Sequence, residues 1–433
     1  MRKRIVLIFL FIFIFENILI NIVNAFEKSE FSPEITAPSA ILIDSGSGDI
    51  LYEKNAHTLM YPASTTKIMT AILAIESLDL SDTVVIDKES PFTTGSRIYI
   101  QEGEIFTVEQ LLYALLLQSA NDVAVALAKH ISGDVAEFAK RMNERAKELG
   151  AKNTHFVNSS GLPDEAHVTT AYDLALIARY AMTLPEFKKI VKTVHYQIPP
   201  TNKQTETRYL RNSNRFLWGT GNANKISYRN QWIDIKYDLI DGIKTGYTVQ
   251  AQQCLVASAE KNGHRLISVV LKADGKNVYK DSRTLIDYGF EHFKFIKLSD
   301  AYEKIETVRV KAGEEKYLNL VTENSLYKPI PQNAKLNKID KIIEIDQSIV
   351  APISANQVLG KLIFRSDDKY LGEVNLIAEK AIPKKETWLT IINSNFFLKT
   401  TFLFLVVFPF CCAVLLAAVI LIHRMTRKKK RFF

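Results

Sequence analysis

The feature that most constrains this chain is an uncharged stretch near its C-terminal end. Residues 401–422 carry no charged side chain, and as a helix they would reach about 33 Å, enough to cross the hydrocarbon core of a bilayer. Pro409 lies within the stretch, which membrane helices tolerate. The strongly basic residues 423–433 follow, and such clusters stay on the cytoplasmic side. We therefore expect one transmembrane helix and a basic cytoplasmic tail, with the preceding body outside the cytoplasm.

Residues 1–25 have the pattern of a secretory signal peptide. Three basic residues precede an apolar run at 5–15, and Val23-Asn24-Ala25 offers small residues for cleavage. The alternative is an uncleaved membrane anchor, but Glu16 and Asn21 make a stable span less favourable. Both ends of the chain thus predict a single-pass protein of the cell membrane whose body lies on the periplasmic or extracellular face.

The net charge of the chain resides at its two ends. Of the formal charge of +8, residues 1–25 contribute +2 and residues 423–433 contribute +6, so that residues 26–422 are neutral overall. This distribution gives no support to nucleic-acid binding. Cys254 is the single cysteine of the body, and the eight histidines lack metal-ligand spacing. We therefore expect neither an intrachain disulfide nor a zinc site.

The exported body is long enough for two domains. Apolar alternation and turn signals predict strands near the start and end of residues 26–297, and helical periodicity predicts helices between them. The predicted strands are 40–44, 49–53, 242–248, 254–260 and 264–273, and the predicted helices are 111–130, 135–149, 170–183 and 276–290. This order predicts an α/β (α+β) domain, in which helices cover the faces of an antiparallel sheet.

The pattern changes near residue 298. Short alternating runs separated by turns continue to about residue 385 without helical periodicity, which predicts a small all-β domain at 298–385. Residues 386–400 would then form a juxtamembrane stem leading to the helix at 401–422 and the tail at 423–433.

A serine and a lysine begin a helix that is otherwise apolar. Ser64 and Lys67 are three positions apart, so both lie on the same helical face. A neutral lysine amine can take the hydroxyl proton and make the serine a nucleophile, provided that burial or a second cation lowers the pKa of the lysine. The pattern alone is weak: an N-cap serine with a solvated lysine is commoner, and Ser325-x-x-Lys328 in the β domain also matches it.

Two further motifs raise the significance of this pair. Ser119-Ala120-Asn121 lies within an apolar helical stretch, where polar side chains need partners. Lys244-Thr245-Gly246 lies on the short strand 242–248, and Gly246 would let another backbone approach closely. Each motif is weak by itself, since Ser354-Ala355-Asn356 in the β domain also matches Ser-x-Asn.

Together and in this order, the three motifs resemble the signature of the penicillin-binding and serine β-lactamase superfamily. The flanking residues 62–67, 119–122, 158–162 and 241–248 resemble the D-alanyl-D-alanine carboxypeptidases, the low-molecular-mass penicillin-binding proteins. The resemblance is strong over about 38–290. Residues 298–385, with Ala351-Pro352-Ile353, are similar to that family's C-terminal domain. The implied fold is the serine β-lactamase/DD-peptidase-like transpeptidase fold with a helical subdomain.

The resemblance implies roles for the matching residues. Ser64 would be the acylated nucleophile and Lys67 its general base, while Ser119 would relay a proton to the leaving amine. Which lysine acts as the acylation base is disputed in this superfamily.

The remaining motif residues would bind the substrate. Asn121 would hold the peptide amide, Lys244 would add positive field, and Thr245 would bind the terminal carboxylate. The strand with Gly246 would pair with the peptide, and the backbone N–H of Tyr247, with that of the nucleophile, would form the oxyanion hole.

These roles predict a serine-type D-Ala-D-Ala carboxypeptidase that removes the terminal D-alanine from peptidoglycan pentapeptides, needs no metal or organic cofactor, and is trapped by β-lactams. A DD-endopeptidase would use the same residues. A β-lactamase would need a base for deacylation, but Asp164 and Glu165 lack the Leu-Asn that follows such a glutamate. A non-catalytic peptidoglycan-binding protein on the same fold is a further alternative. Many relatives end in an amphipathic helix, whereas this chain has the pattern of a true span.

Overall fold

The computed structural model describes residues 32–345, 348–367, 369–385, 400–401 and 403–429. The expected signal peptide lies outside the described residues, as do nearly all of the expected stem and the last four residues of the basic tail. The chain forms two compact units. The first contains the residues up to 296 together with 329–334, and the second contains 297–328 and the residues from 335 onward.

The first unit is built on a five-stranded antiparallel sheet. In chain order, the described strands up to residue 273 are β1 (Ser39–Asp44), β2 (Ile50–Lys54), β3 (Thr83–Val85), β4 (Ile105–Thr107), β5 (His195–Ile198), β6 (Arg208–Arg211), β7 (Lys225–Tyr228), β8 (Gln231–Asp234), β9 (Ile240–Thr248), β10 (Gln252–Lys261) and β11 (His264–Ala273). The sheet order is β2-β1-β11-β10-β9, which makes β9 an edge strand. The sheet therefore joins strands from both ends of the unit, as the sequence predicts.

Seven α-helices accompany this sheet among the described residues of the first unit, besides short 3₁₀ helices. They are α1 (Lys67–Ser77), α2 (Val108–Leu117), α3 (Asn121–Ser132), α4 (Val135–Glu148), α5 (Ala171–Ala181), α6 (Pro185–Lys192) and α7 (Asn277–His292). Successive side chains of β1 point to opposite faces of the sheet, and each face belongs to a different hydrophobic core. Ile41 and Ile43 face the core formed with α1 to α6, whereas Leu42 faces the core that contains Leu285 of α7. The sheet thus lies between the helical subdomain and α7.

The predicted helix 111–130 is wrong in one respect, because it is broken between α2 and α3. Ser119 has a positive φ of 59°, which interrupts the helical hydrogen-bond ladder. The N–H of Asn121 donates to the Ser96 carbonyl, and the Leu117 carbonyl accepts from the N–H of Ser213. The apolar pattern runs across the break and therefore did not indicate it.

The second unit contains another five-stranded antiparallel sheet. The strands that follow β11 are β12 (Phe293–Ser299), β13 (Lys304–Arg309), β14 (Tyr317–Thr322), β15 (Leu326–Pro331), β16 (Asp340–Ile345), β17 (Val358–Ser366) and β18 (Lys369–Ala378). The order of the strands in this sheet is β13-β14-β18-β17-β16. Ser325 immediately precedes β15 and Asn356 lies in a turn, so neither isolated motif match begins a helix. The predicted fold class is confirmed.

One described helix, Leu403–Arg424, is long and apolar enough to cross a membrane. It begins with a wide helical turn at Leu403–Val407 and continues as α8 (Phe408–Lys429). The wide turn comes immediately before Pro409, whose ring clashes with a regular preceding turn and which has no N–H to donate.

A buried ion pair orders the segment that leads to β4. Both oxygens of the Glu104 carboxylate accept from the Arg208 guanidinium, at 2.8 and 3.0 Å. Arg208 also donates to the Ile98 carbonyl at 3.1 Å. The Glu104 side chain is fully buried, so the charge of Arg208 depends on this carboxylate for compensation.

Glu104→Gln should therefore lower the free energy of unfolding by about 3–5 kcal/mol, because it leaves a buried guanidinium without its counter-charge. Chemical denaturation of residues 26–386, without the expected signal peptide and the C-terminal helix, measures this change. The control is Glu137→Gln, which removes an exposed pair with Lys140 and should cost less than about 1 kcal/mol. Equal effects of the two substitutions would contradict this account of the buried pair.

Candidate active site

Ser64 lies on a short helical turn that leads directly into α1. The turn, Ala63–Thr66, is a 3₁₀ helix, and Lys67 is the first residue of α1. Ser64 Oγ and Lys67 Nζ are 3.0 Å apart, so the two side chains meet as their spacing predicts.

Lys67 is fully buried and surrounded by oxygen atoms. Besides Ser64 Oγ, its Nζ lies 2.6 Å from Asn121 Oδ1 and 2.6 Å from the Ser160 carbonyl oxygen. Burial lowers the pKa of Lys67 well below its usual range, and the positive charge of Lys244 lowers it further, while Asp122 opposes both effects. A neutral amine can donate its two N–H bonds to Asn121 and Ser160 and direct its lone pair at the Ser64 hydroxyl.

The break between α2 and α3 places the second motif beside this pair. Ser119 Oγ is buried and has no hydrogen-bond partner among the described residues. Asn121 is held at both ends, since its Oδ1 accepts from Lys67 and its Nδ2 donates to the Thr94 carbonyl at 2.7 Å. One N–H of the Asn121 amide thus remains for a further acceptor.

The third motif occupies the edge strand β9. The Lys244 side chain is buried, and burial lowers its pKa to about 7. Thr245 Oγ1 is 2.8 Å from Ser213 Oγ. At Gly246 a Cβ atom would lie only 3.1 Å from the backbone N of Ser64, so the glycine allows β9 to approach the serine turn. The Tyr247 side chain is exposed.

These residues surround a cavity of about 590 Å³. The residues that line it include Ser64, Ser119, Thr245, Gly246 and Tyr247. Three other motif residues are buried and do not belong to the lining: Lys67, Asn121 and Lys244. A neighbouring cavity of about 300 Å³ is lined by residues that include Ala63, Asp164, Glu165, His167 and Thr248. Among the described residues, no aspartate or glutamate lines the first cavity.

A segment to which the sequence analysis gave no role also contributes to the site. Asn158 Oδ1 accepts from the backbone N–H groups of Ser160 and Gly161, at 3.1 and 2.8 Å, which directs the Ser160 carbonyl to Lys67. Gly161 has a φ of 82°, and a Cβ there would lie 1.8 Å from the Ala63 carbonyl oxygen. An asparagine followed by Ser-Ser-Gly is a turn signal, but the signal does not reveal which group the turn contacts.

Ser213 and Arg215 line the larger cavity and were also missed. Both lie in residues 196–238, a polar and irregular segment with many Asn, Lys and Arg residues, whose composition predicts loops with short strands. No residue pattern in this segment distinguishes the two side chains that face the cavity from those that face solvent.

Comparison with known proteins identifies the family. A family model described as D-alanyl-D-alanine carboxypeptidase matches residues 26–275, and one described as the C-terminal domain of penicillin-binding protein 5 matches residues 290–384. The chain belongs to the D-alanyl-D-alanine carboxypeptidase family. It is 34% identical to D-alanyl-D-alanine carboxypeptidase DacF of Bacillus subtilis, over 82% of this chain and 88% of the relative. It is 30% identical to D-alanyl-D-alanine carboxypeptidase DacD of Escherichia coli, over 88% of this chain and 95% of the relative.

Solved structures agree with this membership. Penicillin-binding protein 5 of Haemophilus influenzae matches with a TM-score of 0.63 and 30% identity, over 82% of this chain and 99% of that protein. A peptidoglycan synthesis regulatory factor of Streptococcus pneumoniae matches with a TM-score of 0.64 and 26% identity, over 81% of this chain and the whole of that protein.

The low pKa of Lys244 generates a prediction about stability. Its usual pKa is 10.5, so the unfolded chain retains this proton up to about pH 10, whereas the folded protein releases it near pH 7. Because the unfolded state binds more protons between these values, the free energy of unfolding should rise with pH across this window, by up to about 1.4 kcal/mol per pH unit for this group.

Lys244→Met should remove the part of the pH-dependent rise that Lys244 contributes and leave the part that the buried Lys67 contributes, and the variant should be more stable than the wild type at pH 7. Chemical denaturation at a series of pH values between 7 and 10 measures both effects. Lys236→Met, which changes a lysine with an exposed side chain, should retain the wild-type slope. A wild-type slope in Lys244→Met would show that this lysine does not titrate as its burial demands.

Proposed function

We propose that residues 26–297 form a serine-type D-Ala-D-Ala carboxypeptidase that removes the terminal D-alanine from peptidoglycan pentapeptides. The observation that carries this proposal is the 3.0 Å contact between Ser64 Oγ and the amine of the fully buried Lys67. Burial keeps the amine available as a base, and the cavity beside it is large enough for the end of a peptide.

In the acylation step, Ser64 Oγ attacks the carbonyl carbon of the penultimate D-alanine and its proton passes to Lys67 Nζ. The backbone N–H groups of Ser64 and Tyr247 stabilise the developing oxyanion. Ser119 Oγ then passes its proton to the leaving amine as the C–N bond breaks and takes up the proton that Lys67 had received, so that Lys67 is again neutral. The unpartnered Ser119 hydroxyl is consistent with such a relay, because it is free to bond a substrate atom. Water afterwards hydrolyses the ester and releases the shortened peptide.

The substrate is bound as an additional strand along β9, whose position at the sheet edge leaves it available for pairing. The Thr245 hydroxyl binds the terminal carboxylate, and the neighbouring buried Lys244 adds a positive electrostatic potential that attracts this carboxylate. The free N–H of Asn121 holds the peptide amide. Penicillins mimic the D-Ala-D-Ala end and acylate Ser64 in the same manner.

The β-lactamase alternative is less well supported. Asp164 and Glu165 are exposed and line the neighbouring cavity, whereas the cavity of Ser64 has no carboxylate in its described lining. We therefore expect acylation of Ser64 by penicillin to persist, because no carboxylate in the described lining of its cavity can activate a deacylating water.

The proposal is tested with the soluble body, a purified pentapeptide muropeptide and a cross-linked dimer, with products identified by mass. We expect release of D-alanine from the pentapeptide. Ser64→Ala should reduce this release by several orders of magnitude and abolish covalent penicillin labelling, because it removes the nucleophile.

The matched control is Ser325→Ala, which alters the second Ser-x-x-Lys pattern and should change neither reaction. Cleavage of the dimer without D-alanine release would favour the endopeptidase. Labelling that survives in Ser64→Ala would overturn the site assignment.

We also propose that the helix Leu403–Arg424 anchors the protein in the cell membrane, with the catalytic residues on the outer side. The length and composition of the helix support this, as do the basic residues 424–431 that follow its apolar part. Substrate chemistry agrees, since peptidoglycan lies outside the cytoplasm.

Removal of residues 387–433 should consequently give a soluble protein that still releases D-alanine at about the wild-type rate, because none of the proposed site residues is deleted. Fractionation of cells that export the shortened chain measures its solubility. Retention in the membrane after removal of the signal would place the anchor elsewhere in the chain.

A further inference from the structure

The turn that carries Ser64 is only partly held by its own residues, through the N–H and the hydroxyl of Thr65, which both donate to the Pro62 carbonyl. Ala63 has a φ of 48°, a conformation that strains a residue with a Cβ by about 1–3 kcal/mol. Neither Pro62 nor Thr66 caps the following helical residues with its side chain. Strain of this kind persists only where surrounding contacts enforce it. The position of Ser64 relative to Lys67 therefore also depends on groups from elsewhere in the chain.

Several of these groups come from the single segment 157–167. The backbone of Gly161 packs against the Ala63 carbonyl, and the Ser160 carbonyl accepts from Lys67. The segment also reaches Thr66, which lies between the serine and the lysine in the sequence, since His167 Nε2 lies 2.8 Å from Thr66 Oγ1. Among the described residues, His167 is the only hydrogen-bond partner of the Thr66 hydroxyl.

The hydrogen bonds of His167 define which ring nitrogen carries the proton. The backbone N–H of Val157 donates to Nδ1 at 3.1 Å, so Nδ1 must be an acceptor. The proton consequently resides on Nε2, which donates to Thr66 Oγ1. The ring is buried, and Phe156 packs against it with a centroid separation of 5.6 Å. The imidazole is thus fixed in one orientation by the backbone.

The ring also remains uncharged near neutral pH. Burial lowers the pKa of His167 to about 4; the positive charges of His155 and Lys67 act in the same direction, and Asp164 opposes them. A neutral substitution at this position therefore leaves the charge near Lys67 unchanged, and a change in rate would report on geometry.

We propose that His167 is a positioning residue for acylation, and that its Nε2–H, oriented by Val157, fixes Thr66 and with it the turn that presents Ser64 to Lys67. The inference rests on the proposed role of Ser64 as nucleophile. It assigns His167 no contact with the substrate.

The test measures two quantities during labelling with a fluorescent penicillin: the second-order rate constant and the final labelled fraction. The final fraction counts folded sites, and the rate constant reports on their geometry. His167→Ala should label to the full extent but about 10–100-fold more slowly, the effect expected when a reacting group is misplaced by about 1 Å. His167→Gln can place an amide N–H near the position of Nε2 and should recover most of the rate.

Thr66→Val keeps the shape of the residue and removes the acceptor, so it should slow labelling to a similar degree. Because both changes remove the same hydrogen bond, the double variant should be no slower than His167→Ala alone. His155→Ala is the control. His155 is an exposed histidine near the same segment, its side chain bonds the Ala166 carbonyl, and its removal should leave the rate within about twofold.

Wild-type rates in both His167→Ala and Thr66→Val would overturn the proposal, as would fully additive losses in the double variant. A reduced labelled fraction with an unchanged rate would show a role in folding alone. If His167→Ala does not fold, the rate of Thr66→Val decides. Failure of the proposed function is distinguishable, because the wild-type protein itself would then not be labelled at Ser64.

Discussion

The burial of one amine, that of Lys67, is the constraint on which the site depends. A lysine removed from water loses most of the solvation of its charge, so it must find acceptors or become neutral. Lys67 does both, because three oxygens surround its Nζ and a second buried lysine repels its charge. The three oxygens come from the serine turn, from α3 and from the segment after α4. A single amine therefore connects three parts of the chain that are distant in sequence.

The same logic explains the irregular features around it. The break between α2 and α3 leaves a carbonyl at Leu117 and an N–H at Asn121 without helical partners, and each finds one in a distant loop. Gly161 and Gly246 both lie against the serine turn: a Cβ at Gly161 would overlap the Ala63 carbonyl, and a Cβ at Gly246 would lie 3.1 Å from the backbone N of Ser64. The turn is thus enclosed by main chain, which leaves few ways for Ser64 to shift. A rigid nucleophile of this kind costs stability, as the two buried lysines also do, in exchange for a prepared geometry.

The sequence was sufficient for the fold class and for the three motifs, and the reasons are physical. Alternation and helical periodicity report burial directly, and a spacing of three brings Ser64 to Lys67 on any helix. The break at Ser119 was not predictable because apolar residues continue on both sides of it. The Ser160 contact uses a backbone carbonyl, which every residue possesses and no motif marks. The position of Ser213 depends on how the polar segment 196–238 folds back, and its composition resembles that of an ordinary loop. The roles of the individual side chains and the domain limits remain predictions.

The pairing of β1 with β11 has a consequence for when the site can exist. Leu42 lies opposite Ser268, so the central sheet closes only after more than half of the chain is available. Ser64 and Lys67 are synthesised early, yet β9, against which their turn packs, follows well over a hundred residues later. Contacts of such long sequence separation form late in folding. If the chain crosses the membrane from its N-terminal end, as proposed, its serine would therefore be carried out before the site is assembled, and Lys67 would acquire the buried surroundings that make it a base only outside the cytoplasm.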